Sequence, residues 1–265
     1  MAQYIIGDVH GCFDGLMQLL AKINYNPSKD ELFFTGDLIN RGPKNIEVLD
    51  FIYNNANAEI VLGNHDLHLL ALEVNPSFKH YNGLKEVLAH RKFKLWRDWL
   101  RSKPLIYKHQ DILLVHAGIY PLWSEEAAIE YANEVSSILK SEAYKQLLAN
   151  MYGNMPNKWD NNLSSWKRYR FIINASTRMR YLTLDNCCDF EHSMPPKDSP
   201  TNLCPWYDQA NYSSTIIFGH WASLQAMQIK PKIIAIDGGY VWGGKLVAWD
   251  VENKSKIEVK SSRKN

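Results

Sequence analysis

Five short motifs along the chain combine glycine with Asp, Asn or His, the residue types that bind divalent metal ions. They read Gly7-Asp8-Val9-His10-Gly11, Gly36-Asp37-Leu38-Ile39-Asn40-Arg41-Gly42, Gly63-Asn64-His65-Asp66, His116-Ala117-Gly118 and Gly219-His220. Carboxylate, imidazole and amide groups suit cations of borderline hardness such as Mn²⁺, Fe²⁺, Co²⁺ or Zn²⁺. With this many ligands, two ions about 3.5 to 4 Å apart can bind and promote in-line attack at phosphorus, with a carboxylate such as Asp37 bridging them. The motifs therefore predict a metal site with enough ligands for two ions.

A short apolar segment precedes each motif, and each segment predicts a β-strand. The predicted strands are residues 3–6, 32–35, 59–62, 112–115 and 215–218, with two more at 233–236 and 246–249. After the first three strands, apolar residues recur at helical spacing, so strands and helices alternate as in an α/β fold. Loops that follow the carboxyl ends of strands gather at one edge of an α/β sheet. We therefore expect the five motifs to meet there.

Residues from about 122 to 211 interrupt this alternation. They contain two predicted helices, 125–139 and 142–151, then a segment rich in Arg and aromatic residues, and then a Pro-rich loop at 194–200. Because the strand pattern resumes afterwards, we expect a single domain, 1–265, with a mostly helical subdomain inserted at about 122–211 that covers the site. The polar tail from Asn253 onward is expected to be a solvated terminus.

The charge of the chain is nearly balanced, with 30 Lys and Arg against 28 Asp and Glu in 265 residues. A duplex DNA partner is not indicated, because there is no global basic field, and any anionic ligand must be held by local charge. No segment reaches the roughly 18 apolar residues of a membrane span, the N-terminus does not read as a secretory signal, and no obligate protein partner is indicated. We expect a cytoplasmic protein whose cysteines are free thiols: Cys12, Cys187, Cys188 and Cys204.

The five motifs resemble those of calcineurin-like metallophosphoesterases of the phosphoprotein-phosphatase branch, whose pattern is GDxHG, GDxxDRG, GNHE/D, H and GH. Segments 63–71, 116–123, 151–159, 170–180, 218–224 and 237–246 also resemble the bacterial symmetrical diadenosine tetraphosphatases. The similarity runs from the first strand to about residue 250 and includes the insertion, which protein phosphatases lack. The resemblance implies a calcineurin-like β-sandwich flanked by helices, with the inserted subdomain as a cover.

The resemblance also implies which residues hold the metals. The first ion would be bound by Asp8, His10 and Asp37. The second would be bound by Asp37, Asn64, His116 and His220, which makes Asp37 the bridging ligand. The ions would be Mn²⁺ or Co²⁺, with Fe²⁺ and Zn²⁺ as alternatives, because the sequence does not choose among them.

Catalytic and substrate-binding roles follow from the same comparison. His65 would donate a proton to the leaving phosphate oxygen, and Arg41 would hold phosphate oxygens with its planar guanidinium. Arg178 and Arg180 lie in a segment rich in Arg and aromatic residues and would bind substrate phosphates. Neighbouring arginines such as Arg168 have a simpler interpretation as the surface of a helix.

One residue departs from the family pattern, because Asn40 stands where the phosphatases have Asp. In that family the Asp pairs with the histidine next to the metal-binding Asn. An amide can orient His65 by a hydrogen bond, but it cannot stabilise the charged imidazolium as a carboxylate does. Asp66 is a candidate to compensate, although a carboxylate in the first turn of a helix is an equally good interpretation of that residue.

The resemblance implies metal-dependent hydrolysis of diadenosine tetraphosphate at its central phosphoanhydride, which gives two ADP. The substrate would be a dinucleoside polyphosphate, and RNA ends capped by such a dinucleotide are a further candidate. A serine/threonine phosphoprotein phosphatase with the same two-metal centre is the alternative enzyme. A catalytically silent sensor of dinucleotides is a third hypothesis, but a silent relative is expected to have lost at least one metal ligand.

Overall fold

Two β-sheets form the body of the computed structural model, which describes residues 1–78 and 83–262. The first sheet contains, in spatial order, β12 (Asp237–Gly238), β13 (Lys245–Asp250), β1 (Gln3–Ile6), β2 (Glu31–Phe34) and β3 (Ala58–Ile60), and β14 (Ser255–Lys260) pairs with β13. The second contains β10 (Gln228–Lys230), β11 (Ile233–Ala235), β9 (Thr215–Phe218), β5 (Ile112–Val115) and β4 (Ile106–His109). Alternate strand residues from both sheets share one buried cluster, which includes Ile5, Phe33, Val247, Leu114, Ile217 and Ile234. The expected β-sandwich is therefore confirmed.

Helices flank this sandwich and connect its early strands. They are α1 (Phe13–Lys22), α2 (Asn45–Tyr53), α3 (Asn64–Val74), α4 (Leu84–Ala89) and α5 (Phe93–Arg101). In α1 the apolar residues Leu16, Leu19 and Leu20 recur at helical spacing and are buried, and the helix packs against β13 and β14. Because β1, β2 and β3 run parallel in register, each crossover helix returns the chain to the same end of the sheet.

A long excursion separates β5 from β9, although these strands are parallel neighbours with Val115 opposite Phe218. It contains α6 (Glu125–Lys140), α7 (Tyr144–Asn150), α8 (Ser165–Arg178) and a small sheet of β6 (Tyr181–Thr183), β7 (Cys188–Asp189) and β8 (Leu203–Pro205). Single 3₁₀ turns lie at Pro196–Asp198, Trp206–Asp208, Ala222–Leu224 and Tyr240–Trp242. The mostly helical insertion agrees with expectation, and the small sheet is an addition to it. The limits 122–211 and the covering role remain predictions.

The expected solvated tail is wrong over most of its length, because β14 pairs with β13 from Lys245 opposite Lys260 to Asp250 opposite Ser255. Ile257 and Val259 are partly buried against the core, whereas Lys256 and Lys260 are exposed. This alternation is typical of an edge strand with one wet face. The ends of the seven predicted strands agree with the structure or differ from it by at most two residues. Within the described ranges, no helix is both long and apolar enough to cross a bilayer.

Candidate active site

Strand ends from both sheets deliver the five motifs to one place. Asp8 follows β1 and Asp37 follows β2, and these strands are parallel neighbours in the first sheet. His116 follows β5 and His220 follows β9, which are parallel neighbours in the second sheet. Asn64 is the first residue of α3, shortly after β3. The packing of the two sheets therefore brings all five motifs together.

The backbone at three of these motifs takes the left-handed conformation that side chains rarely adopt. The φ angles are 47° at His10, 49° at Asp37 and 61° at His220. The motifs brace one another, because the His10 N–H donates to the Asp37 carbonyl at 2.9 Å and the Gly219 N–H donates to the His116 carbonyl at 2.9 Å. Residues held in such conformations are concentrated at functional sites, where the surrounding structure compensates for the strain.

Two glycines let the carboxylates approach the backbone closely. A Cβ atom on Gly63 would lie 2.1 Å from Asp37 Oδ1, and one on Gly219 would lie 2.0 Å from Asp8 Oδ1. The φ of Gly63 is −89°, which any residue can adopt, so it is space and not backbone conformation that requires glycine there. These glycines help to set the position of the two carboxylates.

Asp37 is the centre of the cluster. Its Oδ2 lies 3.4 Å from His116 Nε2, 3.7 Å from His10 Nε2 and 3.9 Å from His65 Nε2. Two groups of ligand atoms share it, and within each group the atoms lie within 4.8 Å of one another: His10, Asp37 and His65, and Asp37, His116 and His220. One carboxylate therefore belongs to two potential cation sites.

The other expected ligands lie around these two groups. Asp8 Oδ2 is 3.9 Å from His10 Nε2, and Asn64 Oδ1 is 3.1 Å from His116 Nε2. The rings of His116 and His220 have their centres 5.0 Å apart. The six residues expected to bind metal are thus brought together, and His65 lies close enough to join the first group.

Backbone carbonyls orient the three imidazole rings. His116 Nδ1 lies 2.7 Å from the Thr35 carbonyl, and His10 Nδ1 lies 3.3 Å from the Ile39 carbonyl, so in both rings Nε2 is left as the ligand. His220 uses Nε2 toward the Arg178 carbonyl at 3.2 Å, which leaves Nδ1. Donation from one ring nitrogen to a carbonyl is the usual way in which a metal-binding histidine is held.

Buried charge in the cluster calls for a cation. Burial raises the pKa of the Asp8 carboxyl well above its usual range, and the Asp237 carboxylate adds to this shift. Burial alone would lower the pKa of His116, but Asp37 and Asp8 raise it to about 10. Several carboxylates buried against imidazoles are stable only with positive charge among them. Oxygen and nitrogen donors in this arrangement fit divalent metal ions, which would replace the proton on His116.

Asn40 and Arg41 define the state of His65. The Asn40 Nδ2 lies 2.6 Å from His65 Nδ1, while the Asn40 Oδ1 accepts from the Arg41 N–H at 2.8 Å. The second bond fixes the amide orientation, so Nδ2 donates to Nδ1 and the ring proton resides on Nε2. Burial lowers the pKa of His65 to about 4; the Asp37 carboxylate opposes this shift, and the charges of His10 and Arg41 add to it.

Asp66 has a structural role. Its carboxylate accepts hydrogen bonds from the N–H groups of Asp37 at 2.8 Å, Leu38 at 3.1 Å and Gly63 at 2.9 Å. These bonds join the loop after β2 to the first turn of α3. Of the two interpretations from the sequence, the helix N-terminal one agrees with these contacts.

A cavity of about 600 Å³ opens over the cluster, and three arginines line it: Arg41, Arg178 and Arg180. Arg178 donates to the amide oxygens of Asn174 and Asn154, each at 3.0 Å, so these contacts leave its positive charge uncompensated. Arg180 donates from Nη2 to the His220 carbonyl at 3.0 Å, and its buried Nε has no hydrogen-bond partner among the described residues. Guanidinium groups that line such a cavity fit an anionic ligand.

Other arginines of the same segment serve the fold. Arg168 forms a two-point ion pair with Glu134, with 2.7 Å at both contacts, and Arg170 donates to the Asn150 carbonyl at 2.7 and 2.9 Å. The helix-surface interpretation therefore suits these two residues.

Two residues of the cavity were not recognised from the sequence. Asp237 is buried and faces the cluster, and Trp242 lies at the rim with 54% of its surface exposed. The signal was present, because Asp237-Gly238-Gly239 follows an apolar strand just as the five motifs do.

Residues 1–224 match the family model described as calcineurin-like phosphoesterase. The chain belongs to the calcineurin-like phosphoesterase family. This calcineurin-like phosphoesterase is 42% identical over 267 residues to the symmetrical bis(5'-nucleosyl)-tetraphosphatase of Neisseria meningitidis, and the alignment covers 99% of this chain and 96% of the relative. It is 45% identical over 253 residues to the protein of the same name from Psychromonas ingrahamii, covering 93% of this chain and 92% of the relative.

A solved structure shares the fold of this calcineurin-like phosphoesterase. It is described as that of a candidate diadenosine tetraphosphatase and superposes with a TM-score of 0.68 at 22% identity, covering 99% of this chain and 95% of the other. The alignments with both tetraphosphatases extend through the insertion between β5 and β9. The resemblance expected from the sequence is therefore confirmed.

Proposed function

We propose that the protein hydrolyses diadenosine tetraphosphate at its central phosphoanhydride and releases two ADP. The observation that carries this proposal is that one cavity contains both a buried cluster of metal-binding side chains and three arginines. A polyphosphate chain requires this combination, because its many charges need local cations. The names of the near full-length relatives support the choice of substrate.

Two divalent ions fit the donor set. Asp8, His10 and Asp37 would hold the first, and Asp37 would share the second with Asn64, His116 and His220. When bound, such ions supply Lewis-acid stabilisation of phosphoryl charge and activate water as a nucleophile. The two ions are proposed to be Mn²⁺ or Co²⁺. Fe²⁺ and Zn²⁺ are the alternatives, because mixed oxygen and nitrogen ligands suit all four metals.

The arginines hold the phosphate chain. Arg41 is exposed in the loop after β2. Arg178 is the last residue of α8, and Arg180 lies two residues further along the chain. The guanidinium groups of Arg178 and Arg180 would each donate an additional hydrogen bond to a phosphate oxygen. Guanidinium groups bind phosphate oxygens in pairs, so they fix orientation as well as charge.

His65 would assist the departure of the second ADP. Its Nε2–H faces the cluster while its Nδ1 is held by Asn40. A donor at this atom would hydrogen-bond to the leaving phosphate oxygen and stabilise its developing charge. Transfer of a proton to that oxygen would require the protonated ring. Arg41, whose backbone N–H fixes the Asn40 amide, links the phosphate-binding side chain to the orientation of this donor.

The insertion would supply the second wall of the site. Arg178, Arg180 and Phe190 all come from the chain between β5 and β9, and they line the cavity opposite residues of the β-sandwich loops. A symmetric cut needs a nucleoside on each side of the reacting phosphates. A wall from the insertion would enclose such a substrate, whereas a phosphoprotein needs an open groove.

The proposal extends to a second class of substrate and to the cellular location of the protein. RNA ends capped by a dinucleoside tetraphosphate carry the same phosphate chain, so they are proposed as a second substrate class. We propose a cytoplasmic location, where both substrates would be found.

Product analysis tests the function. The protein is incubated with Mn²⁺ and diadenosine tetraphosphate, and the nucleotides are separated by chromatography; in parallel it is incubated with a phosphoserine peptide. We expect ADP as the only nucleotide product and no release of phosphate from the peptide at a comparable rate. ATP plus AMP would contradict the central cut, and hydrolysis of the peptide alone would favour the phosphoprotein phosphatase.

A further inference from the structure

Two further cavities adjoin the one that contains the metal-binding cluster, here called the central cavity. The Tyr152 cavity, of about 460 Å³, shares Asn64, His65 and Arg178 with it. The Trp242 cavity, of about 530 Å³, shares Ala222, Ser223 and Trp242 with it. The two outer cavities share no lining residue with each other. Each therefore meets the central cavity at a different part of its wall.

The Tyr152 cavity is mainly apolar. Leu67, Phe78, Met151 and Ile173 contribute to its lining, and Tyr152 stands at its edge with 39% of its surface exposed. The Tyr152 hydroxyl is hydrogen-bonded to His68 Nδ1, and its ring contacts Phe78 with the ring centres 4.6 Å apart. An apolar cavity with a few fixed polar groups, beside a phosphate-binding arginine, suits a nucleoside.

The Trp242 cavity combines an aromatic face with bare backbone. Gly238, Gly239, Gly243 and Gly244 contribute to its lining, so backbone forms part of its wall, and Lys245 lies beside them. Trp242 exposes 54% of its surface, and the Arg41 guanidinium lies 5.5 Å from the centre of its ring. Arg41 thus stands between the central cavity and this indole.

We propose that the two outer cavities bind the two nucleosides of the substrate, with one base stacked on Trp242 and the other in the Tyr152 cavity. This inference rests on the proposed function. A dinucleoside polyphosphate has a charged middle and two aromatic ends, and the row of cavities has charged groups in the middle and an aromatic side chain at each end. Both outer volumes lie within the range of about 300 to 1,000 Å³ that is usual for small-ligand sites.

The glycines explain why Trp242 is available for stacking. Gly239 and Gly243 adopt φ angles of 68° and 87° on either side of the turn that carries Trp242. This tight turn presents the indole at the surface instead of burying it, in contrast to Trp96, Trp206 and Trp221, which are each no more than 1% exposed. An exposed indole next to a phosphate-binding arginine is how proteins commonly bind bases without reading their identity.

Kinetics of single variants test the inference. Trp242→Ala and Tyr152→Ala are each expected to raise KM for diadenosine tetraphosphate by about 5- to 100-fold, with a smaller change in kcat, because each removes one base contact. Trp242→Phe should restore most of the affinity. Trp166→Ala serves as the control, because Trp166 is a partly exposed tryptophan of α8 that lines neither cavity. Metal content and melting temperature, measured for every variant, report on folding.

A ligand with one nucleoside sharpens the test. Adenosine 5'-tetraphosphate needs only one outer cavity, so its competitive inhibition constant should weaken in one of the two alanine variants and not in the other. Weakening by both variants would mean that both side chains contact a single nucleoside, and it would overturn the inference. An unchanged KM in both alanine variants would also overturn the inference, when the wild-type protein produces ADP. A wild-type protein that produces no ADP would overturn the proposed function and the inference together.

Discussion

The side-chain amide of Asn40 donates a hydrogen bond of 2.6 Å to the ring Nδ1 of His65. A carboxylate at this position would accept a proton from Nδ1 and stabilise the imidazolium, whereas the amide holds the ring neutral with its proton on Nε2. His65 in this chain therefore begins as a neutral hydrogen-bond donor in a buried environment that lowers its pKa to about 4.

Replacing Asn40 by Asp should change the pH dependence of the activity. The new carboxylate raises the pKa of His65 from about 4, by about 1 to 3 units for an opposite charge at this distance, so the ring is protonated over a wider range of acidic pH. Its second oxygen can still accept from the Arg41 N–H, which preserves the loop. Below the raised pKa the ring is a charged proton donor, so the ratio of kcat in Asn40→Asp to kcat in the wild type should rise as the pH falls from about 8 to about 5. A ratio that does not change with pH, at normal metal content, would show that protonation of His65 does not affect the rate.

His65 and Asp37 should differ in what their loss removes. We expect His65→Ala to lower kcat by about 100- to 1,000-fold, as is typical for loss of a hydrogen-bond donor to developing charge, while metal content is retained. Asp37→Asn should lose both activity and metal, because Asp37 belongs to both groups of ligand atoms. Atomic absorption on the purified variants measures this. Metal loss in His65→Ala would instead make His65 a ligand, as its distance of 3.9 Å from Asp37 permits.

Arg180 should matter more to the substrate than a neighbouring arginine of the fold. Arg180→Lys replaces a planar guanidinium that lines the central cavity by a single ammonium, and a lost charged hydrogen bond is worth about 1.5 to 3 kcal/mol. We expect kcat/KM for diadenosine tetraphosphate to fall by roughly 10- to 100-fold. Arg168→Lys is the matched control, because Arg168 pairs with Glu134 and does not line the central cavity. Equal losses in the two variants would refute a phosphate-binding role for Arg180.

Glu125 should make the stability of the insertion depend on pH. Burial raises the pKa of its carboxyl, but hydrogen bonds from Ser214 at 2.6 and 2.8 Å and from Ser213 at 3.0 Å outweigh this effect and hold the pKa below its ordinary value of 4.5. Because the folded-state pKa is the lower one, the ionised carboxylate stabilises the folded state above the ordinary pKa. This contribution is lost as the pH falls through the folded-state value.

Glu125→Gln should therefore lower the free energy of unfolding by about 1 to 3 kcal/mol near neutral pH. The difference from wild type should shrink as the pH falls below 4.5. Urea denaturation of both proteins across this range measures it. A difference that is the same at every pH would show that the charge of Glu125 is not involved.

The strands and the meeting of the motifs were predictable from the sequence. The strands Ile112–Val115 and Thr215–Phe218 agree residue for residue, because short apolar runs end abruptly at His116 and Gly219. Once the strand ends are known, parallel pairing brings the motif residues to one edge without further information.

Other features depend on contacts that no local pattern reveals. The Lys-rich composition of β14 predicts a solvated tail. Ile257 and Val259 alternate with charged residues there, and this alternation produces a buried face only because β14 pairs with β13. Arg168 and Arg178 lie on the same helix, and only their surroundings separate an ion pair with Glu134 from a place in the cavity. No motif predicts a role for Trp242, because its exposure results from the turn between Gly239 and Gly243.

Cleavage at the central phosphoanhydride is tested with a substrate whose two halves differ. Adenosine guanosine tetraphosphate is incubated with the metal-loaded protein, and the products are resolved by ion-exchange chromatography. A central cut gives ADP and GDP in equal amounts at all times, and this is the expected result. The appearance of ATP with GMP, or of AMP with GTP, would rule out cleavage at the central phosphoanhydride, because the reacting phosphorus would then lie off the centre of the chain.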